Sequence, residues 1–276
     1  MKHIKHILAG CAILFACSSA HAQFSLKLPG LGNTDTSKLI NNVQKMQDID
    51  QPHEIQIGQD YAAILLGARP LYGDQRAQRY VNEFGRWLAS QSERPDLPWT
   101  FAVIDDPRFN AFSTPGGYVF VTSGLLQQLH SESELAGVLG HEIGHIIHKH
   151  YLKAVKTSAA MSMITDNIRT NSQLKEAVLH LAKDAFTKGL DREDEFDADA
   201  VGVVIAARAG YDPFGLPSAL QILEQHTSQG GGFSLLLQTH PEPSARIERL
   251  EALIQNRFDN FNGVVGPSPM QRLTEY

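Results

Sequence analysis

Hydrophobic positions recur at helical spacing along most of the chain, which predicts a largely helical protein. In the clearest case Val81, Phe84, Trp87 and Leu88 recur at helical spacing, and Pro95 and Pro98 then end the pattern. The same spacing predicts helices at 53–69, 74–92, 124–130, 132–152, 172–187, 192–209, 215–226 and 244–256. Helices therefore dominate the second half of the chain.

Two shorter apolar runs predict β-strands. One is Thr100–Ile104, and the other, Tyr118–Thr122, directly follows the turn sequence Thr114-Pro115-Gly116-Gly117. Together with the helices, these strands predict an α+β fold that is mostly helical and has a small sheet. We find no internal repeat that would indicate a helical-repeat module.

The first 22 residues predict a secretory signal peptide and not a part of the fold. Two early lysines precede a short apolar run, and Ala20-His21-Ala22 supplies small residues before a cleavage site at Gln23. In an alternative interpretation, Leu14-Phe15-Ala16-Cys17 is a lipoprotein cleavage box, and Cys17 carries the lipid. Both routes place the mature protein outside the cytoplasm, in the periplasm, and they differ in whether it is lipid-anchored.

Beyond the signal peptide, we expect a polar entry segment over 23–52, one domain over 53–256 and a C-terminal tail over 257–276. The net charge of −6 argues against nucleic acid as a main partner, because binding phosphates requires a basic face. Both cysteines, Cys11 and Cys17, precede the domain, which therefore has no disulfide and no cysteine metal site. No apolar run in the mature chain approaches the length that spans a bilayer, so we expect no transmembrane span.

The candidate chemistry lies at His141-Glu142-Ile143-Gly144-His145. Two histidines four residues apart project from the same face of a helix, so both imidazoles can bind one ion, and zinc suits such ligands. Glu142 points about 100° around the helix from His141, beside the ion, where a carboxylate can take a proton from an activated water. The pattern therefore predicts a metal-binding pair with a general base.

The helix that carries this motif is supported independently. Ser131 followed by Glu134 is a capping box, which places the start of the helix at 131. Gly144 lowers the helix propensity by about 1 kcal/mol relative to alanine, and we expect another segment to approach closely there.

The third metal ligand has to come from elsewhere in the chain. His148 lies about 10 Å along the helix axis from His141, and we therefore interpret His148 and His150 as polar residues at a helix end. Glu195 and Asp199 are four residues apart and share one face of a later helix. One of the two can bind zinc while the other orients a ligand imidazole, or both simply complement the helix dipole.

Four motifs follow one another along the chain: Asn110-Ala111-Phe112 with Pro115–Thr122, then His141–His145, then Arg192 with Glu195, Ala198 and Asp199, and finally Thr239-His240-Pro241 with Arg246. With these motifs, roughly residues 53–255 resemble the gluzincin zinc metallopeptidases typified by HtpX and the CAAX prenyl protease. The resemblance is strongest to soluble periplasmic members such as BepA and LoiP. It implies a gluzincin-type metallopeptidase domain with its small sheet beside the active-site helix.

The resemblance also implies roles for individual residues. It implies that His141, His145 and Glu195 bind one Zn²⁺ per chain, that Glu142 is the general base, and that Asp199 orients a ligand. It places His240 and Arg246 near the metal as catalytic residues. We also expect Asn110, Gly117, Tyr118 and Val119 to contact the substrate.

Two features of the predicted mechanism stay open at this point. His240 either helps to stabilise the oxyanion of the transition state, as Arg246 also can, or it occupies the open metal position and makes the enzyme latent. Tyr118–Thr122 is either an exposed edge strand that pairs with an extended substrate or an ordinary inner strand.

We therefore expect a zinc endopeptidase of the bacterial envelope that degrades misfolded or unassembled proteins. The outer-membrane assembly machinery is a further expected partner. The sequence lacks the transmembrane helices of HtpX and the helical repeats of BepA. The resemblance therefore implies neither a membrane-embedded substrate nor docking to an assembly machine through repeats. The alternative is a zinc-stabilised periplasmic chaperone, and Glu142 argues against it because a structural zinc site needs no general base.

Overall fold

The computed structural model describes residues 49–154, 190–228, 240, 243–255, 257–258 and 260–275. These residues belong to the compact unit Ser37–Tyr276, and a separate unit, Met1–Thr36, lies wholly outside them. The predicted signal peptide, the predicted helix at 172–187, and Thr239 and Pro241 of the fourth motif also lie outside the described residues.

The described chain begins with two helices, continues with three short strands and ends with helices. In chain order the elements are α1 (Gln51–Ala68), α2 (Gln75–Ala89), β1 (Thr100–Ile104), β2 (Ala111–Thr114), β3 (Tyr118–Thr122), α3 (Ser123–Gln128), α4 (Glu132–Ile147), α5 (Arg192–Arg208), α6 (Gly215–Ser228), α7 (Pro243–Ile254) and α8 (Pro269–Glu275). This order confirms the prediction of a mostly helical α+β fold with a small sheet.

The three strands form one sheet in the order β1-β3-β2, with β3 parallel to β1 and antiparallel to β2. Val119 of β3 pairs with Phe101 of β1 and with Ser113 of β2. Tyr118–Thr122 is thus the inner strand, and the interpretation that made it an exposed edge strand is wrong. The edge strand that packs against α4 is β2, which the sequence pattern did not predict.

Helix α4 forms the centre of the fold and is buried along nearly its whole length. Ser131 caps the helix as predicted, because it accepts a hydrogen bond from the backbone N–H of Glu134. The Glu134 carboxylate accepts a hydrogen bond from the N–H of His130, one residue before the N-cap position that a capping box would use. The helix ends at Ile147 and not at 152, because Lys149 adopts a left-handed backbone conformation with φ of 58°.

Helices α4 and α5 cross at very short distance through glycines. A Cβ atom on Gly202 of α5 would lie 2.7 Å from the backbone nitrogen of His141, and one on Gly140 of α4 would lie 2.7 Å from the carbonyl oxygen of Gly202. Gly144 faces Ala198 in the same way, at 3.0 Å from its carbonyl oxygen, as its position in the sequence led us to expect. Because the glycines at this crossing have no side chains, the two backbones that carry the candidate ligands lie next to each other.

The segment after residue 256 contains a helix that the sequence pattern did not predict. Leu273 of α8 is buried in the main core, and Arg272 donates hydrogen bonds of 2.9 Å to both oxygens of Glu132 at the start of α4. The predicted C-terminal tail therefore packs against the rest of the domain. Among the helices that the structure describes, none is long and apolar enough to cross a membrane.

Candidate active site

The two histidines of the central motif lie one helical turn apart on α4 and are buried. Their Nε2 atoms are 3.0 Å apart and face each other. Two nitrogen ligands at about 2.0–2.1 Å from a tetrahedral ion lie about 3.3 Å apart, so this spacing is close to that of a shared metal site.

Glu195 of α5 completes a triangle with the two imidazoles. Its Oε1 atom is 3.5 Å from Nε2 of His145, and its Oε2 atom is 3.6 Å from Nε2 of His141. Oε1 has no hydrogen-bond partner among the described residues although it is buried. A buried carboxylate oxygen without a partner costs free energy unless something else satisfies it, and a cation at the centre of the triangle would do so. The residues present therefore fit a metal ion.

Glu142 lies beside this triangle and is itself buried. Its Oε2 atom has no hydrogen-bond partner within the described part of the chain, and its Oε1 atom is 3.9 Å from Nε2 of His240. A carboxylate held in this way keeps one oxygen available to accept a proton from a water molecule or a substrate.

Asp199 and Arg246 lie against the Nδ1 side of His141. Nδ1 of His141 lies 2.8 Å from Oδ1 of Asp199. The Arg246 guanidinium donates a hydrogen bond of 2.6 Å to that oxygen and one of 2.8 Å to Oδ2. Burial alone would raise the pKa of Asp199, but the Arg246 cation holds that pKa well below its usual range. A charged carboxylate beside Nδ1 favours the His141 tautomer that carries its proton there, and this tautomer leaves Nε2 available to a metal.

His240 also lies inside the group. Its Nδ1 atom is 2.7 Å from Oε2 of Glu195, and the structure places it with His141, His145 and Glu195 in one set whose donor atoms all lie within 4.8 Å of one another. Arg246 Nη1 is 3.6 Å from the same Glu195 oxygen. The structure thus brings all of the predicted metal-binding and catalytic residues together.

The electrostatics of the group favour metal-binding protonation states at His145 and Glu195. At His240, burial would lower the pKa, but Glu195 raises it above its ordinary value, which favours the protonated form. Burial, together with the neighbouring His141 and His240, lowers the pKa of His145 well below its ordinary value, so the imidazole is neutral. Burial would raise the pKa of Glu195, but His240 and Arg246 lower it below its ordinary value, so the carboxylate is charged. A neutral imidazole and an ionised carboxylate are the forms that coordinate a divalent ion.

The four residues that were predicted to contact the substrate do not lie together in the structure. Asn110 directly precedes β2, and its buried Oδ1 atom has no partner among the residues described. Gly117, Tyr118 and Val119 do not lie at the metal group. Tyr118 packs towards α1, next to Gly58, and Val119 belongs to the main core, so the contact of these residues with a substrate stays a prediction.

Two neighbours of the site were missed by the sequence analysis. Nδ1 of His150 lies 3.0 Å from Nδ1 of His145, and His150 is buried, so it is not simply a polar residue at a helix end. The ring of Tyr151 lies 5.6 Å from that of His145, and burial raises the Tyr151 pKa well above its ordinary value. The sequence analysis missed both residues because it predicted a helix that continues to residue 152. In a continuous helix, His150 would point away from His145.

An apolar cleft opens beside the candidate metal-binding residues. His141, Glu142, His240 and Arg246 line one side of it. The rest of its lining consists of hydrophobic side chains from the segment before β2, from β2 itself and from α3, α4 and α6: Phe109, Ala111, Leu125, Val138, Leu216, Ala219, Leu220 and Leu223. The cleft is small, with a volume of about 30 Å³, and its apolar lining borders the space next to Glu142.

Comparison with known proteins yields one family and several relatives. A family model described as peptidase family M48 matches residues 75–254. The beta-barrel assembly-enhancing protease of Escherichia coli (strain K12) is 29% identical over 257 residues, which are 89% of this chain and 51% of that protein.

Mitochondrial metalloendopeptidases named OMA1 also match. The protein from Schizosaccharomyces pombe is 29% identical over 216 residues, which are 77% of this chain and 64% of that protein. The protein from Arabidopsis thaliana is 29% identical over 179 residues, or 64% of this chain and 36% of that protein. The chain spans about half the length of the bacterial relatives it matches.

Proposed function

The chain belongs to peptidase family M48, and we propose that it is a zinc-dependent endopeptidase of the bacterial cell envelope. Its proposed substrates are misfolded or unassembled envelope proteins. The observation that carries this proposal is the triangle of His141, His145 and Glu195, with the unpartnered carboxylate oxygen of Glu142 beside it.

Zinc is the proposed metal because of the donor set. Two imidazoles and one carboxylate, with a further position left for water or substrate, are the ligands of many catalytic zinc sites. When bound, the ion supplies a Lewis acid that polarises the scissile carbonyl and makes water nucleophilic at neutral pH. We propose one such ion per chain.

Glu142 is the proposed general base. It lies next to the metal group on the cleft side, so it can accept a proton from the attacking water and pass it to the amine of the leaving peptide. Its burial strengthens this function, because a charge in a site of low dielectric interacts strongly with the charges that develop in the transition state.

Arg246 and Asp199 are proposed as positioning residues for His141. The strongest contacts of Arg246 are the two hydrogen bonds to Asp199, which faces Nδ1 of His141. In a latent form of the enzyme, His240 is proposed to occupy the metal position that water or substrate takes in the active form, since its donor atom lies with those of the three proposed ligands. The transition-state role is the competing interpretation for His240.

Extended, unfolded chains are the proposed substrate form. β2 is paired with β3 on one side only within the described sheet, so its other edge can pair with the backbone of a substrate, with Asn110 at its start. The apolar cleft would take a hydrophobic side chain of the substrate. Both features recognise exposed hydrophobic segments, which folded proteins keep buried.

The periplasm is the proposed location, with the outer-membrane assembly machinery as a proposed partner. The predicted signal peptide supports the location, and the name of the relatives, beta-barrel assembly-enhancing protease, supports the partner. Mass spectrometry of the mature N-terminus separates the two processing routes, since it gives either Gln23 or an acylated Cys17.

The test of the proposed function compares the digestion of casein by the wild type and by Glu142→Gln. We expect Glu142→Gln to bind as much zinc as the wild type and to cleave at least about a hundredfold more slowly, because it lacks the general base. If both proteins bind zinc and neither cleaves an unfolded substrate, the chaperone alternative replaces the protease. The chaperone alternative is not favoured, because it leaves the buried Glu142 without a function.

A further inference from the structure

A second group of metal-binding side chains lies outside the active site, where α4 ends. His148, His150 and Asp197 each offer a donor atom, and these atoms lie within 4.8 Å of one another. Nδ1 of His148 contacts Oδ2 of Asp197 directly, and Nε2 of His150 lies 3.2 Å from the same oxygen. Within the described part of the chain, this group and the active-site group are the two sets of histidine and acidic residues with such spacing.

The backbone builds this group through the break at the end of α4. Residues two apart on a continuous helix point about 200° apart, so His148 and His150 would face opposite directions. The left-handed conformation of Lys149 changes this, and its Nζ atom is held 3.2 Å from Oε2 of the buried Glu54. As a result, both imidazoles reach the same carboxylate of α5.

The group is also accessible to an ion from solvent. The side chains of His148 and Asp197 are 41% and 45% exposed, while His150 forms the buried floor. Asp194 adds a second carboxylate 3.8 Å from Nε2 of His150, although Lys153 already pairs with it at 2.6 Å. An ion held here can therefore keep water molecules as its remaining ligands.

We propose that His148, His150 and Asp197 form an outer binding site for a divalent transition metal, and that an ion in this site weakens the binding of the active-site metal. Two imidazoles and one carboxylate favour Zn²⁺, Ni²⁺ or Cu²⁺, whereas Mg²⁺ and Ca²⁺ prefer oxygen ligands. The outer site would thus respond to an excess of the same kind of metal that the enzyme uses.

The link between the two sites is the contact between the rings of His150 and His145. When Nε2 of His145 binds the active-site metal, its proton lies on Nδ1, which faces Nδ1 of His150 at 3.0 Å. His150 must then accept that hydrogen bond and carry its own proton on Nε2, towards Asp197.

An ion in the outer site disturbs this arrangement. If Nε2 of His150 binds the ion, a neutral His150 carries its proton on Nδ1, and two N–H groups then face each other. Either the contact between the two rings or one of the two metal–nitrogen bonds then has to be lost, so filling the outer site weakens metal binding in the inner site. Because coupling between binding sites is reciprocal, a filled inner site weakens the outer one by the same factor.

The first test counts bound ions and does not depend on turnover. The metal-free full chain is titrated with zinc chloride in a calorimeter. We expect the wild type to bind one more ion per chain than either His148→Ala or Asp197→Asn. His53→Ala is the matched control, because His53 is an exposed histidine that pairs with Asp50 and with no second histidine. This variant should bind as many zinc ions as the wild type. Magnesium chloride should give no outer binding.

The second test measures the coupling through binding. By reciprocity, the outer zinc ion should bind about fivefold or more tightly to Glu195→Ala, whose inner site cannot hold its ion, than to the wild type with its inner site filled. Equal affinity of the outer ion in these two proteins would overturn the coupling. An equal number of bound ions in the wild type and in His148→Ala would overturn the site itself.

The two tests also keep this inference separate from the proposed peptidase. A protein that binds the outer ion but cleaves nothing would leave the outer site in place and remove the proposed function. A protein that cleaves casein, and that binds the same number of zinc ions with and without the His148→Ala substitution, would keep the proposed function and remove the outer site.

Discussion

At the residue scale, the site depends on fixing both nitrogens of His141. Nε2 faces the ligand triangle, while Nδ1 faces Asp199, whose charge Arg246 maintains. A histidine whose second nitrogen is held by a carboxylate binds metal in one orientation and one tautomer. The buried ion pair therefore acts on the chemistry through the direction of one imidazole.

His240 gives the first prediction at this scale. We expect His240→Ala to raise casein hydrolysis by up to about tenfold, because a blocked form holding nine of ten molecules lowers the apparent activity by that factor. The measurement is the initial rate at fixed zinc content. A collapse of activity in this variant would instead assign His240 to stabilising the transition state.

The sequence predicted the ligands on α4 better than those on α5. His141 and His145 follow from spacing within one helix, which fixes their common face. Spacing alone left Glu195 and Asp199 interchangeable, because both lie on one face of α5. Their different distances to His141 arise from how α5 crosses α4, and that crossing depends on residues far apart in the chain.

At the element scale, the crossing of α4 and α5 depends on glycines. Gly140 and Gly202 let the backbones touch, and this contact sets the distance from His141 to Glu195. The same closeness makes the crossing sensitive to a single methyl group.

We predict that Gly202→Ala destabilises the protein by about 1–3 kcal/mol, because its Cβ atom would lie 2.7 Å from the backbone of His141. Zinc affinity should fall as well, since Glu195 moves with α5. Denaturant unfolding and zinc titration check both effects. Gly67→Ala is the matched control, since a Cβ atom there meets nothing within 4 Å, and it should be neutral or slightly stabilising.

The short strand β2 shows what the sequence could not provide at this scale. Its four residues lie between a buried Asn110 and a glycine turn, and a run so short has no distinct pattern. Without β2, the position of Tyr118–Thr122 in the sheet was undetermined, because an apolar strand suits either an edge or the middle. The antiparallel pairing of β2 with β3 decides that question.

At the scale of the whole molecule, Glu54 connects distant parts of the chain. This buried carboxylate of α1 accepts hydrogen bonds of 2.8 and 3.0 Å from Arg94 and one of 3.3 Å from the N–H of Gly116, and it lies 3.2 Å from Nζ of Lys149. It therefore joins α1 to the loop before β1, to the turn before β3 and to the end of α4.

We predict that Glu54→Gln lowers the free energy of unfolding by about 3 kcal/mol at neutral pH, because it leaves Arg94 without its buried partner. Chemical denaturation measures this loss. Glu93→Gln is the control, because the pair of Glu93 with Arg208 is exposed, and its loss should cost less than about 1 kcal/mol.

The loss should also depend on pH. Burial would raise the pKa of Glu54, but Arg94 and Lys149 lower it below its ordinary value of 4.5. A carboxyl group with a lowered pKa in the folded state stabilises the protein above 4.5, and this contribution disappears as the pH falls below that value. The difference between the wild type and Glu54→Gln should therefore shrink in acid; a constant difference would contradict this interpretation.

The central claim is that two imidazoles of α4 and one carboxylate of α5 converge on a single ion, and the zinc content of Glu195→Ala tests it most directly. After dialysis against a weak chelator, which removes any loosely held outer ion, we predict about one zinc per chain in the wild type and almost none in Glu195→Ala. The control Glu193→Ala, an exposed neighbour on the same helix, should keep its zinc. If Glu195→Ala retains as much zinc as the wild type, the claim is contradicted.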